Sequence, residues 1–109
     1  MDDDGGMTWG GLKKFAETAN AGVTAVLRDQ FDRRVMLVNR DHQVLVFTAR
    51  RHVPRPLAWG EVVLLAEAHN TPDDAPVRVA DGLDVFRVTE AALHGAEGMD
   101  FLTLRCERA

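Results

Sequence analysis

The apolar positions of this chain change period near residue 22. Before it, Leu12, Phe15, Ala16 and Ala19 recur at helical spacing, with Lys13, Lys14 and Glu17 off that stripe, which predicts one short amphipathic helix. Thr8 is placed to cap it, Gly10 and Gly11 weaken its first turn, and Asn20-Ala21-Gly22 supplies a left-handed stop. After it, Val23, Ala25 and Leu27 alternate with Thr24, Val26 and Arg28, a first strand. Two β-rich runs follow at 35–38 and 44–48, joined by a longer hairpin loop at 39–43. Both are apolar on both faces, which suits a central position or one facing a partner. Prolines 54 and 56 make 50–56 a basic, semi-extended connector. The run Val62-Val63-Leu64-Leu65 has no clear period, and its β-branched content favours a strand over 61–68. Residues 69–76 read as a polar loop. Strands at 77–80, 83–89 and 101–107 complete the set, with an Ala-rich bend at 90–96 that has room for a turn of helix. Asp81-Gly82 and Gly98 mark the turns of this closing hairpin, whose alternation puts Leu102, Leu104 and Cys106 on one face, most simply the core.

The pattern therefore predicts a mainly β fold: a small antiparallel β-barrel or sandwich with one short N-terminal α-helix. Residues 1–7 read as a flexible acidic arm and 8–109 as a single domain; no internal repeat or low-complexity tract is read. A chain of 109 residues buries roughly 65% of the surface that it exposes when unfolded. Composition is that of a soluble globular domain, 46% hydrophobic and 28% charged. No apolar run reaches membrane-span length, and the acidic start is the opposite of a signal peptide's basic region. The net charge of −4 argues against a dedicated nucleic-acid binder. Serine, isoleucine and tyrosine are absent, while Ala, Val, Arg, Asp and Gly are heavily used. That bias suggests a GC-rich genome, bacterial or that of a bacterial virus, and it removes every serine-nucleophile mechanism.

Candidate chemistry is sparse. Cys106 excludes an internal disulfide and points to a reducing, intracellular origin; on a strand face shared with Leu102 and Leu104 it reads as a small buried hydrophobe rather than a nucleophile. His42, His52, His69 and His94 are widely spaced in loops and connectors, which suits solvated histidines better than a metal site. His69 near Asp73 and Asp74 is the one local cluster. The Gly pairs 5–6 and 10–11 lack the lysine of a phosphate loop. No enzyme, cofactor or metal is therefore expected. Arg51-x-x-x-Arg55 has a spacing that resembles the cyclic-dinucleotide clamp of PilZ domains, without their serine-containing turn. Arg50, Arg51 and Arg55 otherwise suit a solvated connector, an acidic protein surface or passing DNA. Trp9 and Trp59 each precede a glycine at an element boundary; both suit core anchors, and Trp9 is the better candidate for an interface anchor.

Taken in order, the elements resemble the head–tail joining proteins of tailed phages, the lambda-type connector family. The resemblance is carried by a short helix before a barrel and by Phe31-Asp32 at a strand end. It continues through the Pro54 and Pro56 connector into Gly60-Glu61-Val62, and ends with Asp81-Gly82, Phe86-Arg87-Val88, Gly98 and Leu102-Thr103-Leu104. Residues 69–76 are an extra loop relative to that pattern. The resemblance implies a structural virion protein, assembled in the bacterial host cytoplasm, that forms a ring in the head–tail neck. Its partners would be itself, portal or adaptor proteins and tail-terminator-like proteins, with DNA passing through but no stable nucleic-acid binding and no membrane. Interface residues would be Trp9, Asn39, Arg40, Asp41, His42, Arg50, Arg51, Arg55, Asp73 and Asp74. The alternative is a bacterial small-barrel binding module that takes a peptide, nucleotide or nucleic acid through Arg50, Arg51 and Arg55.

Overall fold

Trp9, Leu12 and Ala16 fall on one face of a helix and are buried together, so the first predicted element forms as expected: α1 spans Trp9–Thr18. In the computed structural model, which describes residues 6–38, 44–50, 56–82, 84–96 and 98–108, there follow β1 (Val26–Asp29), β2 (Arg34–Val38), β3 (Leu45–Arg50), α2 (Trp59–Ala68), β4 (Val77–Asp81), β5 (Asp84–Ala96) and β6 (Met99–Arg108). The strands close into a small barrel in chain order. Within each trio, β1–β2–β3 and β4–β5–β6, neighbours run antiparallel. The trios join through two parallel pairs, β3 with β4 and β6 with β1. A parallel neighbour needs a crossover, and α2 supplies it between β3 and β4.

Three sequence readings change. Residues 61–68 form helix, not strand: Trp59, Val62 and Ala66 are its buried stripe, and apolar side chains at Val63 and Leu64 hide that period. The segment 90–96 is strand, not a bend. A register shift between Val88 and Glu90 carries β5 on, and pairing with β6 from Glu90↔Arg105 to Ala96↔Met99 overrides the poor strand propensity of alanine. β1 begins at Val26 rather than Val23, which lies exposed in the turn before it.

The fourth change is the largest, because the chain does contain an internal repeat. From residues 6–29 to 56–79 the succession of buried, half-buried and exposed positions recurs in order. Every buried residue among those described has a buried counterpart. Trp9 matches Trp59, Leu12 Val62, Ala16 Ala66, Ala25 Ala75, Leu27 Val77 and Asp29 Val79. Strand pairing extends the match. Val35↔Ala49 repeats as Val88↔Cys106, and the Leu45↔Val77 and Phe47↔Val79 pairs repeat as Leu102↔Leu27 and Leu104↔Asp29. The protein is two helix–three-strand units related by a pseudo-twofold axis along the barrel. The repeat escapes sequence reading because few identities survive, and because the spacing lengthens after β4.

Those identities have physical reasons. Trp9 and Trp59 pack on each other across the axis, ring centroids 5.5 Å apart and planes tilted by 49°, a geometry favoured by the aromatic quadrupole. The following glycines admit the other half's backbone. Gly10 N–H donates to the Asp73 carbonyl at 2.8 Å and Gly60 N–H to the Val23 carbonyl at 2.9 Å. A Cβ at Gly10 would stand 2.9 Å from Asp73 Cβ, and one at Gly60 2.9 Å from Val23 Cβ. Trp9 N–H and Trp59 N–H reach the Ala75 and Ala25 carbonyls in the same crossed manner. Asn20 and Asn70 end the helices at φ 59° and 54°. The N-terminal caps divide one capping box between them: Thr8 Oγ1 accepts from Gly11 N–H, whereas Glu61 Oε1 accepts from Ala58 N–H.

Gly10→Ala and Gly60→Ala are each expected to cost about 1–3 kcal/mol. Gly22→Ala, where an added Cβ meets nothing within 4 Å, should stay within about 0.5 kcal/mol of the parent. Urea titration followed by tryptophan fluorescence measures all three.

Candidate binding site at the barrel mouth

The alternation that buries Ala25 and Leu27 continues to Asp29, which puts a carboxylate in a core position where the other half has Val79. Asp29 is 1% exposed and is the one buried charged residue among those described. It organises the β1–β2 turn. Its Oδ1 accepts from Phe31 N–H and Arg33 N–H, both at 2.9 Å, and its Oδ2 from Arg33 Nε at 2.6 Å. Asp32 takes φ 63° to close this turn, a conformation aspartate tolerates. Burying a carboxylate is costly unless it is paired and hydrogen-bonded, and Asp29 is both.

Arg33 then bridges the mouth. Its Nη1 pairs with the carboxylate of Asp81, the last residue of β4 in the other half. Its guanidinium carbon lies 5.3 Å from the Phe31 ring centre and 5.8 Å from that of Phe86. An open cleft of about 780 Å³ lies here, lined by Phe31, Arg33, Arg50, Asp81, Asp84, Phe86 and Arg108. Arg50, at the end of β3, is exposed and has no ion-pair partner among the described residues. Arg108 Nη1 is 3.5 Å from Asp84 Oδ1 with both side chains exposed, an arrangement worth little in water. The mouth thus carries one arginine held in place, Arg50 without an ion-pair partner among the described residues, Arg108 engaged only at the surface by Asp84 and the Phe86 ring, and two aromatic side chains.

Two neighbouring groups secure this end. The Gln30 side chain acts as an extra strand position: its Nε2 donates to the Cys106 carbonyl and its Oε1 accepts from Cys106 N–H, each at 2.8 Å. Outside the barrel, the Arg34 guanidinium hydrogen-bonded to Asp32, helped by Arg28, holds the Asp32 carboxyl below its usual range. Arg28 and Arg34 lie 4.3 and 5.0 Å from the Phe101 ring centre.

Of the interface residues expected from sequence, Arg50 comes to this mouth, joined by Phe31, Asp81 and Phe86, which in the sequence carry only the resemblance. Trp9 does not serve as a surface anchor, since it is 1% exposed in the core. Asp73 pairs with Lys13 at 2.7 Å, and Asp74 is exposed in the same loop. Asn39, Arg40, Asp41, His42, His52, Arg51 and Arg55 lie outside the described residues. His69 caps the C-terminal end of α2 and His94 is exposed on β5. Among the described residues no three His, Cys, Asp or Glu side chains gather as a metal site, and no helix is long and apolar enough to cross a membrane. Cys106 is buried, and burial, reinforced by the Asp29 charge, pushes its thiol up to about 12. Sequence reading missed Asp29, Phe31, Arg33, Asp81, Phe86 and Arg108 as a group. The available signal was a charge at the inward position after Ala25 and Leu27.

Comparison with family models, with curated proteins and with solved structures finds no match for this chain.

Asp29→Ala leaves Arg33 half-paired and the turn N–H groups without their acceptor. It is expected to cost about 3 kcal/mol, read from urea midpoints, with Asp29→Asn milder because the amide oxygen still accepts. The raised Cys106 pKa gives a pH signature. Between its ordinary 9.0 and about 12 the folded chain holds a proton that the unfolded chain loses, so stability present below pH 9 falls as pH rises through that window. Cys106→Ala, with the residue that the other half carries at Ala49, should flatten this slope in urea midpoints measured across it.

Proposed function

We propose that the protein is a non-catalytic binding module that takes an acidic peptide segment, with an apolar residue beside its carboxylates, at the barrel mouth. One observation carries the reading: the pseudo-twofold core is broken at Asp29, and the charge placed there fixes Arg33 between two phenylalanines. Asp29 also ties the β1–β2 turn, but the core itself does not require a charge there, because Val79 fills the matching position with an apolar side chain. Preorganising an arginine through a buried carboxylate lowers the ordering cost of binding. Arg50 and Arg108 supply forked donors suited to carboxylates, and Phe31, 66% exposed, supplies the apolar contact.

The test is fluorescence anisotropy with labelled peptides of alternating Glu and Phe, alongside nucleotides, an oligonucleotide and a Lys/Phe peptide. Saturable, salt-sensitive binding of the Glu/Phe peptide is expected, weakened about tenfold by Arg50→Ala/Arg108→Ala, which is about 1.4 kcal/mol. Equal binding of the Lys/Phe peptide, or no binding of the Glu/Phe peptide at low salt, defeats the proposal.

A second reading is the structural role in a tailed-phage neck. It draws on the helix that precedes the barrel and on the closing hairpin, where Gly82 and Gly98 take the turn positions at φ 64° and 78°. The Gly60-Glu61-Val62 match no longer supports it as a strand, since those residues lie on α2. Deleting the gene would leave filled heads and free tails unjoined if this reading holds; normal tailed particles would remove it.

A further inference from the structure

The duplication provides an internal control for the surface as well as the core. Lys13 and Lys14 of α1 correspond to Val63 and Leu64 of α2, and Asp73 of one connecting loop corresponds to Val23 of the other. In the first setting Lys13 pairs with Asp73 at 2.7 Å and lies 5.6 Å from the Trp9 ring centre, so a salt bridge roofs the tryptophan. In the second that roof is missing. Val23 and Leu64 stand 71% and 68% exposed, and with Val63 and Trp59 they line an apolar cleft of about 540 Å³. Because burial recurs residue for residue through these segments, the fold accepts a charged pair here as readily as an apolar trio. Val63 packs against the core, but stability gives no reason for the exposed Val23 and Leu64, and solubility argues against them.

We infer that this face of α2 docks a basic amphipathic helix. The apolar cleft accepts the anchor side chains of a helix laid in a groove, read at i, i+3 and i+4. The charge around it sets the character of the occupant: α2 carries no Lys or Arg, and the chain as a whole is acidic. The charged residues of α2 are Glu61, which lines the cleft while one carboxylate oxygen caps the helix, and the exposed Glu67 a turn further on. Lys and Arg flanking an apolar ridge complement that rim, and opposite potentials favour both encounter and register. A second copy of this chain presenting the same face would set these glutamates against their own kind. The surface is separate from the barrel mouth and does not rest on the peptide reading made there.

The probe is a labelled synthetic Leu/Lys amphipathic helix, with a Leu/Glu helix of equal length as its counterpart. The full chain should bind the Leu/Lys helix saturably and the Leu/Glu helix at least tenfold more weakly. The triple variant Val23→Asp/Val63→Lys/Leu64→Lys installs the residues of the first half, so it is expected to fold and to bind at least tenfold more weakly. Val23→Thr/Leu64→Gln changes no charge and should also weaken binding severalfold, which separates the apolar face from general attraction to an acidic protein. Arg50→Ala/Arg108→Ala should leave this binding unchanged. Unaltered affinity in the charge-neutral variant, a preference for the Leu/Glu helix, or sedimentation showing self-association abolished by that variant would each overturn the inference.

Discussion

Neither half of this protein can complete its own interior. The contact that makes this so is Trp9 against Trp59, with each tryptophan's backbone N–H donating to the chain leading into the other half's first strand. Everything else is arranged around that exchange. The glycine after each tryptophan lets the crossing occur. Met7 and Leu57 continue the exchange. Met7 bonds Val88 and Val77 in the second half, and Leu57 bonds Val35 and Leu27 in the first. A perturbation at the axis therefore reaches both halves at once, so cooperative unfolding as one unit is the natural behaviour.

The hairpins and α1 were legible because their apolar periods are local and their turns carry Asn or Gly. α2 was not, and the reason is specific. Val63 and Leu64 fill positions that Lys13 and Lys14 fill in α1, so the surface that hides the helical period in the sequence is the surface that the structure leaves apolar and open. The repeat was hidden by the same divergence. Only Trp-Gly, the Ala-Glu pair inside each helix, the helix-ending Asn, and an Ala and an Arg near each first strand remain as identities in the helix-to-strand segments. The buried members of that set are fixed by packing, and the glycine and asparagine by backbone geometry. The mouth depends on Asp29 meeting Arg33 through a turn and Asp81 through the fold, and no spacing along the chain displays the second contact.

Where the halves agree, the residue is explained by the fold; where they differ, it needs another reason. Applied to the core, this singles out Asp29, the one buried charged residue among those described, whose counterpart is the apolar Val79. Applied to the surface, it singles out Val23, Val63 and Leu64 beside Trp59. At both places the chain departs from its own repeat in a chemically directed way, one adding organised charge and the other removing it.

The parallel pairing of β6 with β1, clasped by the Gln30 side chain on Cys106, also has a meaning in time. On the ribosome β1, β2 and β3 emerge long before β6, and the edge of β1 stays unpaired until β6 is made. An open edge of that kind is a template for wrong pairing. The distance in sequence between Val26 and Phe101 makes closure a slow, late event. The synthesis rate of the second half thus sets how long the first half stays vulnerable to aggregation.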